Sequence, residues 1–462
     1  MATEQAQSSG ANTRPFLSAG SPSVAIMTLA KGTLGAGILA LPQKAMYSGV
    51  PIFLILLALG SYFTARSVEM ITRGCRQAGQ YVFEEVTERL LGRPVALGLG
   101  ISMLLSCYGS SIAYIIAIRG ALALVLDHVD EYIGHQGARF VIYVVGAIVL
   151  VGMSVFEQLN SLRLVSLAGV VGVFITVASV LYALYADGIS ASLKKESFSG
   201  TLHAAMSPNG GIVEIIGAIS TVTFALCNQF NVPQVYEELH EKRSNTVRFI
   251  AYVSTALPTL LYALTALAGF LHSGSVAKDN IFLNFDSLIE EGKFVIYFGI
   301  FTVVLSIGIC HILNNFPMRL SVAFFLPQKW SKSGWIRDGV PLFTAISSIV
   351  IGTFFSNFSM VLGLLGAITG SVICYIVPAL LSIKVEATRA ASGVHEEDES
   401  LKLPSMDTSS NPAKHNVSLF WLLRACPLEC LMIIVGVLLA IIGTVSEFYS
   451  EFSKKKAEIV RV

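Results

Sequence analysis

The chain has 462 residues, of which 54% are apolar and 13% charged, and its formal net charge is +1. The apolar residues fall in long runs between short polar islands, which reads as an all-α polytopic protein embedded in a lipid bilayer. Near-neutral charge, with Lys and Arg in the islands rather than on one stripe, gives no sign of a nucleic-acid partner. Without a phosphate-binding loop, nucleophile elbow, paired intramembrane carboxylates or metal-ligand spacing, an enzyme, a bound metal and a cofactor have no support.

Residues 1–22 are polar and rich in Ser and Ala, lack a basic n-region, and read as a tail rather than a signal peptide. A helix crossing the hydrocarbon needs about 20 apolar residues. On that measure eleven spans are predicted, at about 23–47, 50–73, 95–126, 139–156, 163–186, 211–236, 246–272, 293–325, 339–356, 359–383 and 426–447.

The first span contains "LAKGTLGAGILALP", residues Leu29 to Pro42, with its own helix breakers. An unpaired backbone group in hydrocarbon costs several kcal/mol, so a helix breaks there only where it lines a cavity or is covered by protein. Unwinding at Gly32–Gly37 exposes amides at the start of a second half-helix, and such amides suit a carboxylate. Thr33, Gly35, Ala36 and Gly37 are therefore candidate substrate contacts. The same glycines also suit a small-residue packing face. In the second span, Arg66 and Glu69 read as a structural pair. Ser106, Ser110, Ser111 and Tyr114 recur at helical spacing in the third; Ser110 is taken as a cavity contact, although small residues also serve close packing.

The sixth span, "STVTFALCNQFNVPQVYEEL", carries Asn228, Gln229 and Asn231 at membrane depth and then Pro233. Polar amides there are expensive unless they face a cavity. Carbonyls freed at Leu226, Cys227 and Asn228 are candidates to receive an ammonium, with Phe224 covering the ligand or serving as core. Interrupted first and sixth spans each open a set of five. That is the arrangement of a 5+5 inverted-repeat transporter, here about 23–186 and 211–383, with the eleventh span outside the repeats.

In the eighth span His311 lies beside Cys310 and one helical turn from Asn314. It is a candidate coupling residue, or a hydrogen-bonded core histidine. Residues 384–424, with "HEEDES" and Pro404, read as a linker, and 425–462 as the last helix and a tail. Basic residues favour the segments that are cytosolic when the N-terminus is cytosolic. Lys454, Lys455 and Lys456 disagree, because an odd number of spans puts them outside. No cysteine falls in a predicted outer loop, so no disulfide framework is expected.

"KGTLGAGILALP", "FALCNQFNVPQVYEELHEKRS" and "HILNNFPMRLSV" resemble the amino acid/auxin permease family, over roughly Ser23 to Phe448. The resemblance implies eleven helices in the LeuT-type fold, a cytosolic N-terminus and transport of amino acids by alternating access. It also implies a short cytosolic helix after the second span, which "YVFEEVTERLLG" fits as an amphipathic stretch. Sodium-coupled members carry Asn and Thr where this chain has Lys31 and Cys310. A lysine cannot ligate sodium, and a thiol is a poor ligand for a hard cation. "KGTLGAG" is closest to the proton-coupled branch, which makes Lys31, Cys310 and His311 the coupling candidates. Alternatively, the Lys31 stem snorkels to the interface. The expectation is a monomeric, proton-coupled, sodium-independent amino acid transporter of the plasma membrane or a lysosomal or vacuolar membrane. The alternative is an amino acid sensor built on the same fold.

Overall fold

In a computed structural model, the description covers residues 18, 20–127, 159–190, 206–208, 210–331, 333–355, 357–392 and 424–461. All regular structure among them is helical. Ser21 caps α1 (Pro22–Thr33), its hydroxyl accepting from Val24 N at 3.4 Å, with Pro22 in the first turn where it lacks no needed amide. After the break comes α2 (Gly37–Ser48), bent 59° from α1. Helices α3 (Val50–Ala78), α4 (Phe83–Leu91), α5 (Arg93–Asp127) and α6 (Leu159–Asp187) follow. The sixth predicted span is also broken: α7 (Ile212–Ala225) and α8 (Val232–Glu238) are joined by a 3-10 turn at Gln229–Asn231.

The remainder comprises α9 (Ser244–Ser273), α10 (Phe294–Phe325), α11 (Val340–Phe354), α12 (Phe358–Leu365) and α13 (Val377–Ser392), and then α14 (Pro427–Leu438) and α15 (Thr444–Arg461). π-helical turns at Gly366–Ile376 and Leu439–Gly443 join α12 to α13 and α14 to α15. Among the described residues, 8 helices are long and apolar enough to cross a membrane, or 9 if α1 and α2 form one span. The eleven-span expectation is not reached there. The predicted span at 139–156 lies outside the described residues, and α11, where the ninth was expected, has 15 residues.

Two apolar cores organise the helices. One gathers Leu34 to Met46, Val222 to Leu226 and parts of α5, α6, α9 and α10. The other gathers Ala25 and Leu29, Cys227 to Tyr236, and parts of α3, α4, α9 and α13. Both interrupted spans pass from one core to the other at their breaks, so the irregular backbone lies on the seam. Seven cysteines are free. Arg119 of α5 donates to the carbonyls of Gly352, Thr353 and Phe355 at 3.2, 3.2 and 2.8 Å, satisfying the exposed carbonyl end of α11. Glu69 pairs with Arg66 at 2.7 Å, as expected, and lies 3.7 Å from Arg248 of α9.

The amphipathic stretch after α3 is helix α4, which turns Phe83, Glu84, Val86, Thr87 and Leu90 inward. The Glu84 carboxylate accepts from the Ser321 hydroxyl of α10, while its Oε2 is buried without a partner among the described residues. Burial pushes the Glu84 carboxyl above its ordinary 4.5, against the opposing effect of the Ser321 hydrogen bond. An acid whose pKa rises on folding binds more protons folded than unfolded. Its contribution to stability is therefore present at low pH and lost as pH rises from the ordinary value through the raised one. Glu84→Gln mimics the protonated form and should flatten this dependence, melting at least as high as the parent at neutral pH. Parallel melting profiles for the two proteins over about pH 5 to 8 would contradict it.

Candidate functional site

The two breaks meet face to face. At Gly37 a Cβ would stand 2.8 Å from Ala225 Cβ, so only glycine lets the start of α2 lie against the end of α7. Asn228 Nδ2 donates to Thr33 Oγ1 at 2.9 Å, tying one break to the other, while Asn228 N donates to Gln229 Oε1 at 2.9 Å. Gln229 Nε2 reaches Ser67 of α3 at 2.8 Å, so Asn228 and Gln229 brace the break, while Asn228 Oδ1 and Asn231 Nδ2 are buried without a hydrogen-bond partner among the described residues. Tyr262 of α9 reaches both breaks, with its Oη 2.5 Å from Thr33 O and 3.1 Å from Ala225 O.

Between the breaks lies a small, partly open cavity, lined by Gly32, Thr33, Gly35, Ala36 and Gly37 of the first span, Phe224, Ala225, Cys227 and Phe230 of the sixth, Ser106, Ser110 and Tyr114 of α5, and Asn314 of α10. Of the predicted contacts, Thr33, Gly35, Ala36, Gly37, Ser110, Phe224 and Cys227 line it. Leu226 does not: it is buried, with its Cδ1 3.0 Å from where a Gly60 Cβ would be. Asn228 does not either, because its carboxamide is turned onto Thr33.

The polar lining is modest. Ser110 donates to Ser106 O at 2.6 Å, and Asn314 Nδ2 donates to Tyr114 Oη at 3.0 Å. The Gly35 amide is taken by Thr33 O at 2.8 Å. At the start of α2, Ala36 supplies no side-chain cap. Ala36 and Gly37, at the helix start where amides lack partners within the helix, line the cavity, while Leu39 N donates to Ala36 O at 3.1 Å. Phe230 and Ala225 were not foreseen as lining residues, since an apolar residue in an apolar span carries no sign of which way it faces.

Lys31 sits behind the break, away from the cavity lining. It does not snorkel: it has no exposed surface, and its Nζ donates to Leu34 O at 2.6 Å, Ser306 Oγ at 2.7 Å and Cys310 Sγ at 3.0 Å. Its stem lies on Gly169 of α6, where a Cβ would come within 2.7 Å of Lys31 Cδ. Thus Lys31 fastens the break to α10 and α6. Cys310 in turn donates to Leu34 O at 3.2 Å. Ser306 was missed, although it lies one helical turn before Cys310, the spacing that would have pointed to it. His311, beside Cys310, turns instead to α5, with Nδ1 3.2 Å from Ser111 Oγ. The structure thus joins Lys31 to Cys310 and places His311 on a separate contact.

A family model described as "Transmembrane amino acid transporter protein" matches residues 18–395. Among curated proteins, the chain is 24% identical over 451 residues to amino acid transporter AVT6E of Arabidopsis thaliana, covering 93% of this chain and 83% of that one. It is 23% identical over 395 residues to sodium-coupled neutral amino acid symporter 2 of Danio rerio, covering 81% and 77%. Among solved structures, a manganese transporter of Eremococcus coleocola superposes with a TM-score of 0.55 at 12% identity, covering 96% of this chain and 97% of that one, a likeness of fold alone.

Proposed function

We propose, from the premise that the chain belongs to the transmembrane amino acid transporter family, that it is a proton-coupled, sodium-independent secondary transporter of amino acids working by alternating access. The observation that carries this is the convergence of both broken spans on one cavity. Discontinuous helices in matching positions offer amide ends to an anionic group and carbonyl ends to a cationic one, which are the two charges every amino acid has. The substrate carboxylate takes the uncapped first turn of α2, at Ala36 and Gly37, where amides and helix dipole favour an anion. The ammonium takes the carbonyls just past the end of α7, at Leu226 and Cys227, beyond Ala225 O, which Tyr262 already serves. Ser110, Phe224 and Cys227 are then close to the variable side chain.

Eleven spans in a LeuT-type 5+5 arrangement accord with this reading, the first and sixth rocking against a scaffold that includes α5, α10 and α11. Lys31 supports sodium independence. An ammonium held on Leu34 O and beside Cys310 fills the place where the Asn and Thr of sodium-coupled members would stand, and a cation repels a second cation. The Danio rerio relative is named as sodium-coupled, so the sodium-independent reading of this chain rests on Lys31 and Cys310.

The test is uptake of a panel of radiolabelled amino acids into liposomes containing the purified protein, under a pH gradient, a sodium gradient or neither. Accumulation driven by an alkaline interior and indifferent to sodium is expected. Sodium-driven accumulation overturns the coupling assignment. Saturable binding with no flux makes the protein a sensor.

A further inference from the structure

We infer that the Tyr262 hydroxyl is a built-in substitute for a metal cation, holding the carbonyl ends of both broken helices together so that the site needs no alkali ion there. Thr33 is the last residue of α1 and Ala225 the last of α7, and their carbonyl oxygens lie 2.5 and 3.1 Å from the Tyr262 Oη. The final carbonyls of a helix have no intrahelical donor and carry the negative end of its dipole. Two such ends aimed at one point, deep in a protein at membrane depth, need positive charge or hydrogen-bond donors between them. Discontinuous helices elsewhere meet this need with a bound sodium ion or proton.

Here the donor is covalently attached. Tyr262 is wholly buried in α9, and its ring packs in the first of the two cores. A phenol has one proton, so it serves Thr33 O at short range and shares what remains with Ala225 O. Thr33 O also receives the Gly35 amide at 2.8 Å, which leaves Ala225 O the more dependent on the tyrosine. On the other side of the same break, the Lys31 ammonium serves Leu34 O. Thr33 O, Leu34 O and Ala225 O are thus met by groups of the chain itself, one charged and one neutral, which leaves the carbonyls past Ala225 for the substrate. Tyr262 is a positioning residue: it sets the distance between the two breaks and hence the width of the cavity they enclose.

This inference rests on the sodium-independent transporter reading, so wild-type protein is measured first. Uptake that requires sodium in the wild type overturns that reading, whatever the variants do. In Y262F the ring remains and the donor is lost. The variant and wild type are purified and reconstituted in choline, sodium or lithium buffer, and amino acid uptake under one pH gradient is followed together with thermal melting in each salt. Uptake by Y262F should fall about tenfold in choline, as the loss of one well-placed buried donor implies. Sodium or lithium should recover at least part of that loss and raise the melting temperature of Y262F alone. Y262H, which keeps a ring donor, should show less dependence on the ion than Y262F. Full activity of Y262F in choline overturns the proposal. So does a folded Y262F whose uptake and melting ignore the ion, failure of Y262F to fold in all three salts, or equal ion dependence in both variants.

Discussion

Lys31→Met is expected to reduce transport by about two orders of magnitude while leaving the helices in place, because a charge-assisted hydrogen bond to a buried group is worth about 1.5–3 kcal/mol and three neutral acceptors lose their shared donor. Methionine keeps an unbranched apolar stem on Gly169 and removes only the ammonium. Leu34 O, Ser306 Oγ and Cys310 Sγ then lose the donor they share. Cys310 retains its own hydrogen bond to Leu34 O, so the break is weakened rather than emptied of partners. Lys31→Arg should not restore function. The channel past Gly169 admits a narrow stem, and a planar guanidinium is larger and needs a different set of acceptors. The measurement is initial uptake rate per reconstituted protein, with melting of the same samples as a check on folding. A Lys31→Met protein that melts normally and transports at more than about half the parental rate, an effect well below 1 kcal/mol, would show the ammonium to be dispensable.

What could be read from the sequence was what is chemically exceptional in a bilayer. "KGTLGAG" and "CNQFNVP" stand out because glycines, amides and proline are costly there, and both fall at observed breaks. The amphipathic α4 stands out by its periodicity, and its charged exposed face separates it from its neighbours. The partnership of Lys31 with Cys310 was reached only through family resemblance, since 279 residues separate them. Facing was not legible. A helix that is apolar all round has no polar side to orient it, so Phe230 in the cavity and Leu226 outside it look alike in sequence. Nor did Asn228 announce that its carboxamide would be spent on Thr33 rather than on a ligand. Tyr262 was invisible for a related reason: one of two tyrosines in a long apolar helix, it gains meaning only once two distant carbonyls arrive at its hydroxyl.

Among the described glycines, Gly366→Ala should be the most disruptive single-methyl change, costing about 3 kcal/mol or more in stability. Gly366 begins the π-helical stretch opposite α7, and an added Cβ would overlap the Ser220 carbonyl, with Ser220 C only 2.7 Å away and Phe224 Cβ at 3.2 Å. The obstruction is backbone, which cannot rotate aside as a side chain can. α7 has little freedom to retreat, because α2 and α3 also close on it, with Ala225 Cβ 2.8 Å from a Cβ at Gly37 and Leu226 Cδ1 3.0 Å from one at Gly60. Any displacement that does occur is carried to Phe224, one turn beyond Ser220 and part of the cavity wall, so residual uptake should show a raised KM for substrate. Gly74→Ala in α3 is the control. Its nearest neighbours would be at 3.5 Å, ordinary contact distance, and alanine's better helix propensity favours the change by up to about 1 kcal/mol. Melting temperatures of the two variants should therefore move in opposite directions or, at the least, differ by several degrees. If Gly366→Ala melts within about 2 °C of the parent and keeps its KM, the close seat of α7 on this glycine is not what fixes the cavity wall.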